Sequence, residues 1–304
     1  MTGIKYVTHE KIYKVKWNAC LNGASNHLIY AYSVYLDTMA GNWDAIILND
    51  YEAVMPLTWK KKYGIYYLYQ PFFTASLGVF GNNITAELLQ TFLLAIPAKF
   101  KYWDIYLNSA NHFKLPNFKL YDRINYTLSL KDNYENLFAA YKNNLKRNIK
   151  KAENLQLKIS KNINVDDVID LAKNQGKIFS PAKHEDYERF KKLYQQLLVH
   201  QQAITYGVFM PSGRLVASCV FFIANKRAYY ILVGNDPDGK TIGASHALIN
   251  EYIKDNAGND LILDFEGSDI SSLAFFYSSF GATPEINVGL KLNKLPKILQ
   301  LFKS

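Results

Sequence analysis

The chain has only two cysteines in 304 residues, Cys20 and Cys219, and no Cys-x-x-Cys pair. That excludes a disulfide framework and a thiolate metal or redox motif, and both thiols read as buried and free. The six histidines, His9, His27, His112, His184, His200 and His246, form no His-x-x-x-His pair and no cluster with cysteine, so no metal site is expected. No apolar run approaches the roughly 18 residues that span a bilayer. The longest, around 215–224, is interrupted by Ser218 and has strand length. Residues 1–16 are polar and mixed, without the basic start, apolar run and small-residue cleavage site of a secretory signal. A cytoplasmic protein with no transmembrane segment is the expectation. A Gly-x-Ser-x-Gly elbow is missing, and so is a Walker loop, which excludes the α/β-hydrolase and P-loop mechanisms.

What is present is a core. The composition is 49% hydrophobic and 15% aromatic, with 23 Tyr and 18 Phe, which excludes disorder. The length accommodates two domains. The net charge of +9 is uneven: residues 131–162 hold 8 Lys+Arg against 3 Asp+Glu, whereas residues 163–304 hold 15 of each. Within the basic stretch Leu137, Phe138, Tyr141, Leu145 and Ile149 recur at helical spacing, with Lys142, Lys146, Arg147, Lys150 and Lys151 between them. The pattern predicts a basic amphipathic helix over 133–153, opened by Asp132 with Glu135 as a capping box. Its cations face either solvent alone or phosphates, in a nucleotide-like donor or in tRNA.

From 204 onward the pattern predicts a strand meander, 204–210, 214–224 and 227–234, followed by a polar loop 235–242 and a helix 243–255. A buried strand 260–265, a helix 269–280 capped by Gly281, a strand 286–292 and a short helix from 295 complete that half. Helices at 165–175 and 185–202 precede the meander. The first half repeats this order faintly, with strands 44–48, 53–59 and 65–69, a helix 85–98 and a strand 103–107. Matching Tyr66 to Tyr229, Thr85 to Gly243 and Tyr102 to Leu261 gives offsets of 163, 158 and 159, the mark of a duplication.

Three segments carry candidate chemistry. Gly239-Lys240-Thr241-Ile242-Gly243-Ala244-Ser245 joins a loop to a helix start, where small residues and the helix dipole suit a pyrophosphate. Asp264 and Glu266, two apart at the end of a buried strand, share a face where α/β proteins bind ligands, and a partly desolvated carboxylate there suits a general base. Tyr277, in a predicted helix, offers a phenolic proton. Each also has a plain structural reading, as a polar turn, a hydrogen-bonded loop anchor and a core ring. His246, one turn into the helix after the loop, reads as a packing residue.

Together the meander, the small-residue helix start, the acidic strand end and Tyr277 four residues before Gly281 resemble the GNAT (N-acyltransferase) superfamily. Its donor motif reads Gln/Arg-x-x-Gly-x-Gly/Ala; Lys240 and Ser245 depart from it. The basic run 141–152, Asp264-Phe265-Glu266-Gly267-Ser268 and Phe280-Gly281-Ala282 are similar to the tandem branch, the Fem-type aminoacyl transferases and related acetyltransferases. The resemblance implies an α/β (α+β) chain of two tandem GNAT-like domains, each a mixed, mostly antiparallel sheet flanked by helices: 1–130, degenerate, and 131–304, holding the donor site. It implies direct acyl transfer from acyl-CoA (acetyl-CoA) to a small-molecule or peptide amine, with Glu266 as base, directly or through water, Asp264 as orienter or substitute base, and Tyr277 as acid. Val233, Gly234, Gly239, Lys240, Gly243, Ala244 and Ser245 would hold the donor, and Tyr69, Gln70, Phe72 and Tyr229 would face the acceptor. An aminoacyl-tRNA-dependent transferase acting on a cell-wall precursor, with tRNA on residues 131–161, and an inactive binding module are the other readings.

Overall fold

The computed structural model describes residues 3–176, 182–267 and 269–296. In chain order its first elements are β1 (Ile4–Val7), α1 (Lys14–Gly23), α2 (Ser33–Met39), β2 (Trp43–Leu48), β3 (Ala53–Lys62) and β4 (Ile65–Tyr69). They are followed by β5 (Phe80–Gly81), α3 (Ala86–Leu94), β6 (Phe100–Leu107) and β7 (Leu120–Ser129). Next come α4 (Tyr134–Ala139), α5 (Asn143–Asn154), β8 (Lys158–Lys161), α6 (Val165–Gly176) and α7 (His184–Val199). The meander β9 (Ala203–Phe209), β10 (Leu215–Ala224) and β11 (Arg227–Asn235) leads to α8 (Pro237–Thr241), α9 (Ala244–Asn256), β12 (Ile262–Asp264), α10 (Ser271–Ser278) and β13 (Thr283–Asn293).

The chain forms two compact units, one of residues up to 124 together with those from 286, the other of residues 125–285. The sequence reading drew one boundary, at 130/131. The chain instead passes between units twice, because β13 hydrogen-bonds to β6 in the first unit through Val288 to Asn293. The first unit's sheet runs β1-β2-β3-β4-β6-β13 and the second's β8-β9-β10-β11-β12-β7. Each contains one parallel pair, β4 with β6 and β11 with β12, among antiparallel neighbours. The fold class is the mixed, mostly antiparallel α/β architecture that the resemblance implies.

Local chemistry explains the elements. In β6, Trp103, Ile105 and Leu107 alternate inward and meet Leu89, Phe92 and Leu93 of α3, which are spaced three and four apart. Thr85 caps α3 by accepting the Leu88 N–H at 3.2 Å. β10 is buried almost throughout, so it is a continuous apolar run rather than an alternating one. The single basic helix expected over 133–153 is two helices. Asn133, not Asp132, caps α4, and the chain breaks after it, with the Lys142 N–H donating to the Ser279 carbonyl at 2.9 Å. In α5, Leu145, Ile149 and Ala152 face inward, and each large one contributes roughly 1.5–3 kcal/mol of burial. The polar loop expected at 235–242 contains α8, capped by Asp236. Helix 85–98 ends at Leu94, and β1, β7, β8, α1 and α2 add to the elements that patterning found. The predicted helix from 295 lies mostly outside the described residues. No helix among the described residues is long and apolar enough to cross a membrane.

Candidate active site

β11 and β12 pair in parallel only over Arg227–Tyr229 and Ile262–Asp264. Beyond that point β11 continues to Asn235 against β10, while the chain after Asp264 turns away, the Phe265 N–H donating to the Tyr126 carbonyl at 3.0 Å. Two parallel strands thus part at their C-terminal ends, the place where α/β sheets open a crevice.

Asp264 sits at the parting and is buried. Its Oδ2 meets Arg227 Nη1 at 2.9 Å, and its Oδ1 accepts from Asn125 Nδ2 at 2.9 Å and from the Glu266 N–H at 2.8 Å. Arg227 also donates to Glu285 at 3.2 Å. Burial raises the Asp264 carboxyl above its ordinary range, and the Arg227 guanidinium and the two N–H donors oppose that rise. Three donors occupy both oxygens, so Asp264 is an anchor of the strand end rather than a base open to a reactant.

What Asp264 anchors is Glu266. That residue is half-buried and has φ of +61°, a conformation that costs about 1–3 kcal/mol for a residue with a side chain and that the Asp264 bond to its N–H holds in place. Tyr277, from α10, is buried and stacks on Phe265 with ring centroids 4.6 Å apart. Burial first, and then the charge of Glu266, push its phenol well above the usual tyrosine range, so it stays protonated at neutral pH. Glu266 follows Phe265 directly, so the stacked Tyr277 ring lies against the residue next to it.

The small residues of the expected phosphate cradle have close protein neighbours. Gly243 adopts φ of +78° before α9, and a Cβ on it would strike the Asn148 carbonyl of α5. At Gly239 a Cβ would strike the Val216 carbonyl, and at Gly234 it would lie 2.7 Å from the Ala172 nitrogen of α6. Glycine at all three allows backbone to approach backbone, a packing reason that the Gly-x-x-x-Gly spacing did not reveal. Ala244, the first residue of α9, is buried; the Ser245 hydroxyl donates to the Asn235 side chain; Val233 is half-buried opposite Cys219. Asp236 and Asp238 flank the loop, Arg214 pairing with Asp238 at 2.6 Å. The Lys240 side chain and Ser268 lie outside the described residues.

Of the acceptor residues, Tyr229 is wholly buried in β11 as the register partner of Asp264. Tyr69, Gln70 and Phe72 lie in the first unit. Gln70 is engaged by the fold, donating to the Thr74 carbonyl at 2.9 Å and accepting the Tyr106 N–H at 3.1 Å. Tyr69 and Gln70 line a groove of about 540 Å³ with Tyr67, Tyr102, Asp104 and Tyr106, and Phe72 is half-buried nearby in sequence. His246 is a packing residue: its ring meets Phe276 edge-on at 4.8 Å and burial lowers its pKa to about 4. Cys219 is buried and free, and burial pushes the half-buried Cys20 thiol to about 11. Among the described residues no three His, Cys, Asp or Glu side chains group as metal ligands.

Sequence reasoning missed Arg227, Asn125 and Glu285. Arg227 follows a hairpin turn, where a cation reads as solvent-facing. Only its strand register, opposite Ile262 and two residues from the Asp264 pair, places it beside a buried acid.

No family model matches the chain, and no curated protein matches it. Solved structures do. FemX superposes with a TM-score of 0.66 at 13% identity, covering 96% of this chain and 99% of that one. The L-PGS of Bacillus licheniformis gives 0.55 at 11%, covering 95% and 94%. The Saccharomyces cerevisiae N-myristoyltransferase with bound myristoyl-CoA gives 0.51 at 14%, covering 96% and 83%. At these identities the likeness establishes the fold, which is GNAT-like, in agreement with the sequence resemblance.

Proposed function

We propose that the chain is an N-acyltransferase that moves an acyl group, acetyl in the simplest case, from acyl-CoA to an amine by direct attack. The observation that carries this reading is the strand end where β11 and β12 part, at which Asp264 holds the N–H of Glu266 with φ of +61° and the buried Tyr277 stacks on the adjacent Phe265. The acceptor enters as the neutral amine, and Glu266 takes the one proton that its nitrogen loses as the new bond forms, later releasing it to solvent. The nitrogen lone pair forms the new C–N bond at the donor carbonyl, the C–S bond breaks, and Tyr277 gives its proton to the departing thiolate and recovers one from solvent. Asp264 and Arg227 position Glu266. The far end of β11, with Val233 and Asn235, and the N-terminus of α9, with its positive dipole end, hold the donor phosphates. That the same fold holds myristoyl-CoA in the N-myristoyltransferase supports an acyl-CoA donor here. The first unit is the degenerate copy without a donor loop.

The test is calorimetric titration with acetyl-CoA and CoA, followed by a screen of amine acceptors. Asn235→Asp keeps an acceptor for the Ser245 hydroxyl and sets a negative charge beside the helix start, so CoA binding should fall at least about tenfold, roughly 1.4 kcal/mol. Glu266→Gln and Tyr277→Phe should keep donor binding and lower turnover by about 100-fold or more each. A wild-type protein that binds neither CoA nor acetyl-CoA, or an Asn235→Asp variant that binds them unchanged, refutes the donor assignment.

A further inference from the structure

α3 covers one face of the first unit's sheet, and the other face is built of tyrosines. In β6 the inward residues Trp103, Ile105 and Leu107 alternate with Tyr102, Asp104 and Tyr106, which stay half-buried on the opposite face. β4 does the same, with Leu68 buried and Tyr67 and Tyr69 half-buried on the other side. Register brings the two sets together, Tyr67 beside Tyr102 and Tyr69 beside Asp104. On the other flank of β6 it sets Lys291 beside Asp104 and Asn293 beside Tyr102. These side chains line the groove of about 540 Å³, a volume inside the roughly 300–1,000 Å³ range of small-ligand pockets. At Gly289, the register partner of Tyr106, a Cβ would strike the Tyr121 ring, so glycine there lets a fifth tyrosine lie over the same face.

Asp104 is the group that this face leaves unsatisfied. Its side chain is 34% exposed, with the Tyr102 hydroxyl donating to Oδ2 at 3.5 Å and Lys291 Nζ 4.0 Å from the same oxygen. Its Oδ1 has no hydrogen-bond partner among the described residues. A carboxylate accepts up to about four hydrogen bonds, and a shielded oxygen with none is uncommon in a folded protein. Charge limits what can complete it. Lys60 Nζ lies 4.3 Å from the Tyr69 ring centre and Arg123 Cζ 3.7 Å from that of Tyr106, so a cationic ligand would meet cations already in place on these rings. A phosphate brings no donor for Asp104. Within the groove the charges of Asp104 and Lys291 cancel, which suits an uncharged ligand rich in hydroxyl groups.

We propose that this groove binds an uncharged saccharide. The C–H face of a pyranose lies against the tyrosine rings, while its hydroxyl groups donate to Asp104 and accept from Lys291 and Asn293. Flat rings supply the contact area and a few polar groups fix the orientation, the usual division in a small-ligand site. Tyrosine suits such a face because its ring is apolar and its hydroxyl tip stays wet. The groove lies wholly within the first unit and is read by binding alone, so the inference stands or falls independently of acyl transfer.

The experiment is saturation-transfer NMR on the full chain with cellotriose, maltotriose and chitotriose, and with choline and AMP as ligands of the two opposite charges. At least one trisaccharide should receive transfer at its ring C–H protons, and titration then gives its dissociation constant. Asp104→Asn keeps the shape of the side chain and removes its charge, and it should weaken that binding by about tenfold or more. Tyr102→Leu removes one ring face and should weaken it by about fivefold or more, with the circular dichroism spectrum of both variants unchanged. If Tyr102→Leu fails to fold, Asp104→Asn decides by itself. No transfer to any of the three trisaccharides overturns the proposal, as does binding that the folded variants leave at wild-type strength. Transfer to choline or AMP that Asp104→Asn alters, with none to a saccharide, assigns the groove to a charged ligand and overturns it too.

Discussion

Replacing Arg227 by Met should destabilise the second unit strongly and in a pH-dependent way. Arg227 faces Asp264 at 2.9 Å and Glu285 at 3.2 Å, and Asp264 is buried, so the variant leaves a carboxylate without its cation. Removing one partner of a buried pair costs about 3–5 kcal/mol. The sign of the pH effect follows from Asp264. Burial already raises its carboxyl above 3.8, and Arg227 is the largest influence opposing that rise, so the variant raises it further. An acid that binds its proton more tightly folded than unfolded contributes stability that is present below the unfolded value and is lost as pH rises through the folded one. The loss in Arg227→Met should therefore be largest near pH 8 and shrink by up to about 1.4 kcal/mol per pH unit on acidification, once the folded value is reached. Urea unfolding followed by circular dichroism at about pH 5, 6.5 and 8 measures this. Arg227→Met with Asp264→Asn removes both charges and keeps an acceptor for the Glu266 N–H, so it should recover most of the stability and flatten the profile. A loss under about 1 kcal/mol near pH 8, or an equal loss at pH 5 and pH 8, would refute the network's role.

Gly243→Ala should cost about 2 kcal/mol or more, since a Cβ there meets the Asn148 carbonyl and the backbone holds φ of +78°; a urea midpoint unchanged from wild type would show that α5 and α9 can separate freely. His246 has its pKa lowered to about 4 by burial, so its neutral form contributes stability that is complete above its unfolded value of 6.5 and fades as pH falls toward 4. His246→Leu should lose that acid-side dependence, about 2–3 kcal/mol between pH 7.5 and pH 4, as read from paired unfolding curves. Exposed ion pairs such as Lys16 with Asp50 should matter little, and Lys16→Gln should leave the thermal unfolding midpoint where it is in the wild type.

The sequence by itself determined what depends on neighbours within a turn or a strand. The apolar run 215–224, the turn at Asn225 and Lys226 and the strand after it are β10 and β11, because strand length and turn conformation are local properties. The spacing of Leu145 and Ile149 gave the inward face of α5, and Thr85 gave the start of α3. The small-residue segment and the acidic strand end were legible as unusual, and Asp264 of the acidic end pairs with Tyr229 where β11 and β12 part. Their roles depended on residues far away along the chain. Gly243 is glycine because Asn148, 95 positions earlier, packs on it, and Asp264 is an anchor because Arg227, 37 positions earlier, and Asn125, 139 positions earlier, donate to it. The last strand joined the first unit for the same kind of reason, its partner β6 being about 185 residues upstream. Periodicity records which side of an element is apolar; which backbone or charge meets that side is fixed only when strand register and helix packing bring distant segments within hydrogen-bonding reach.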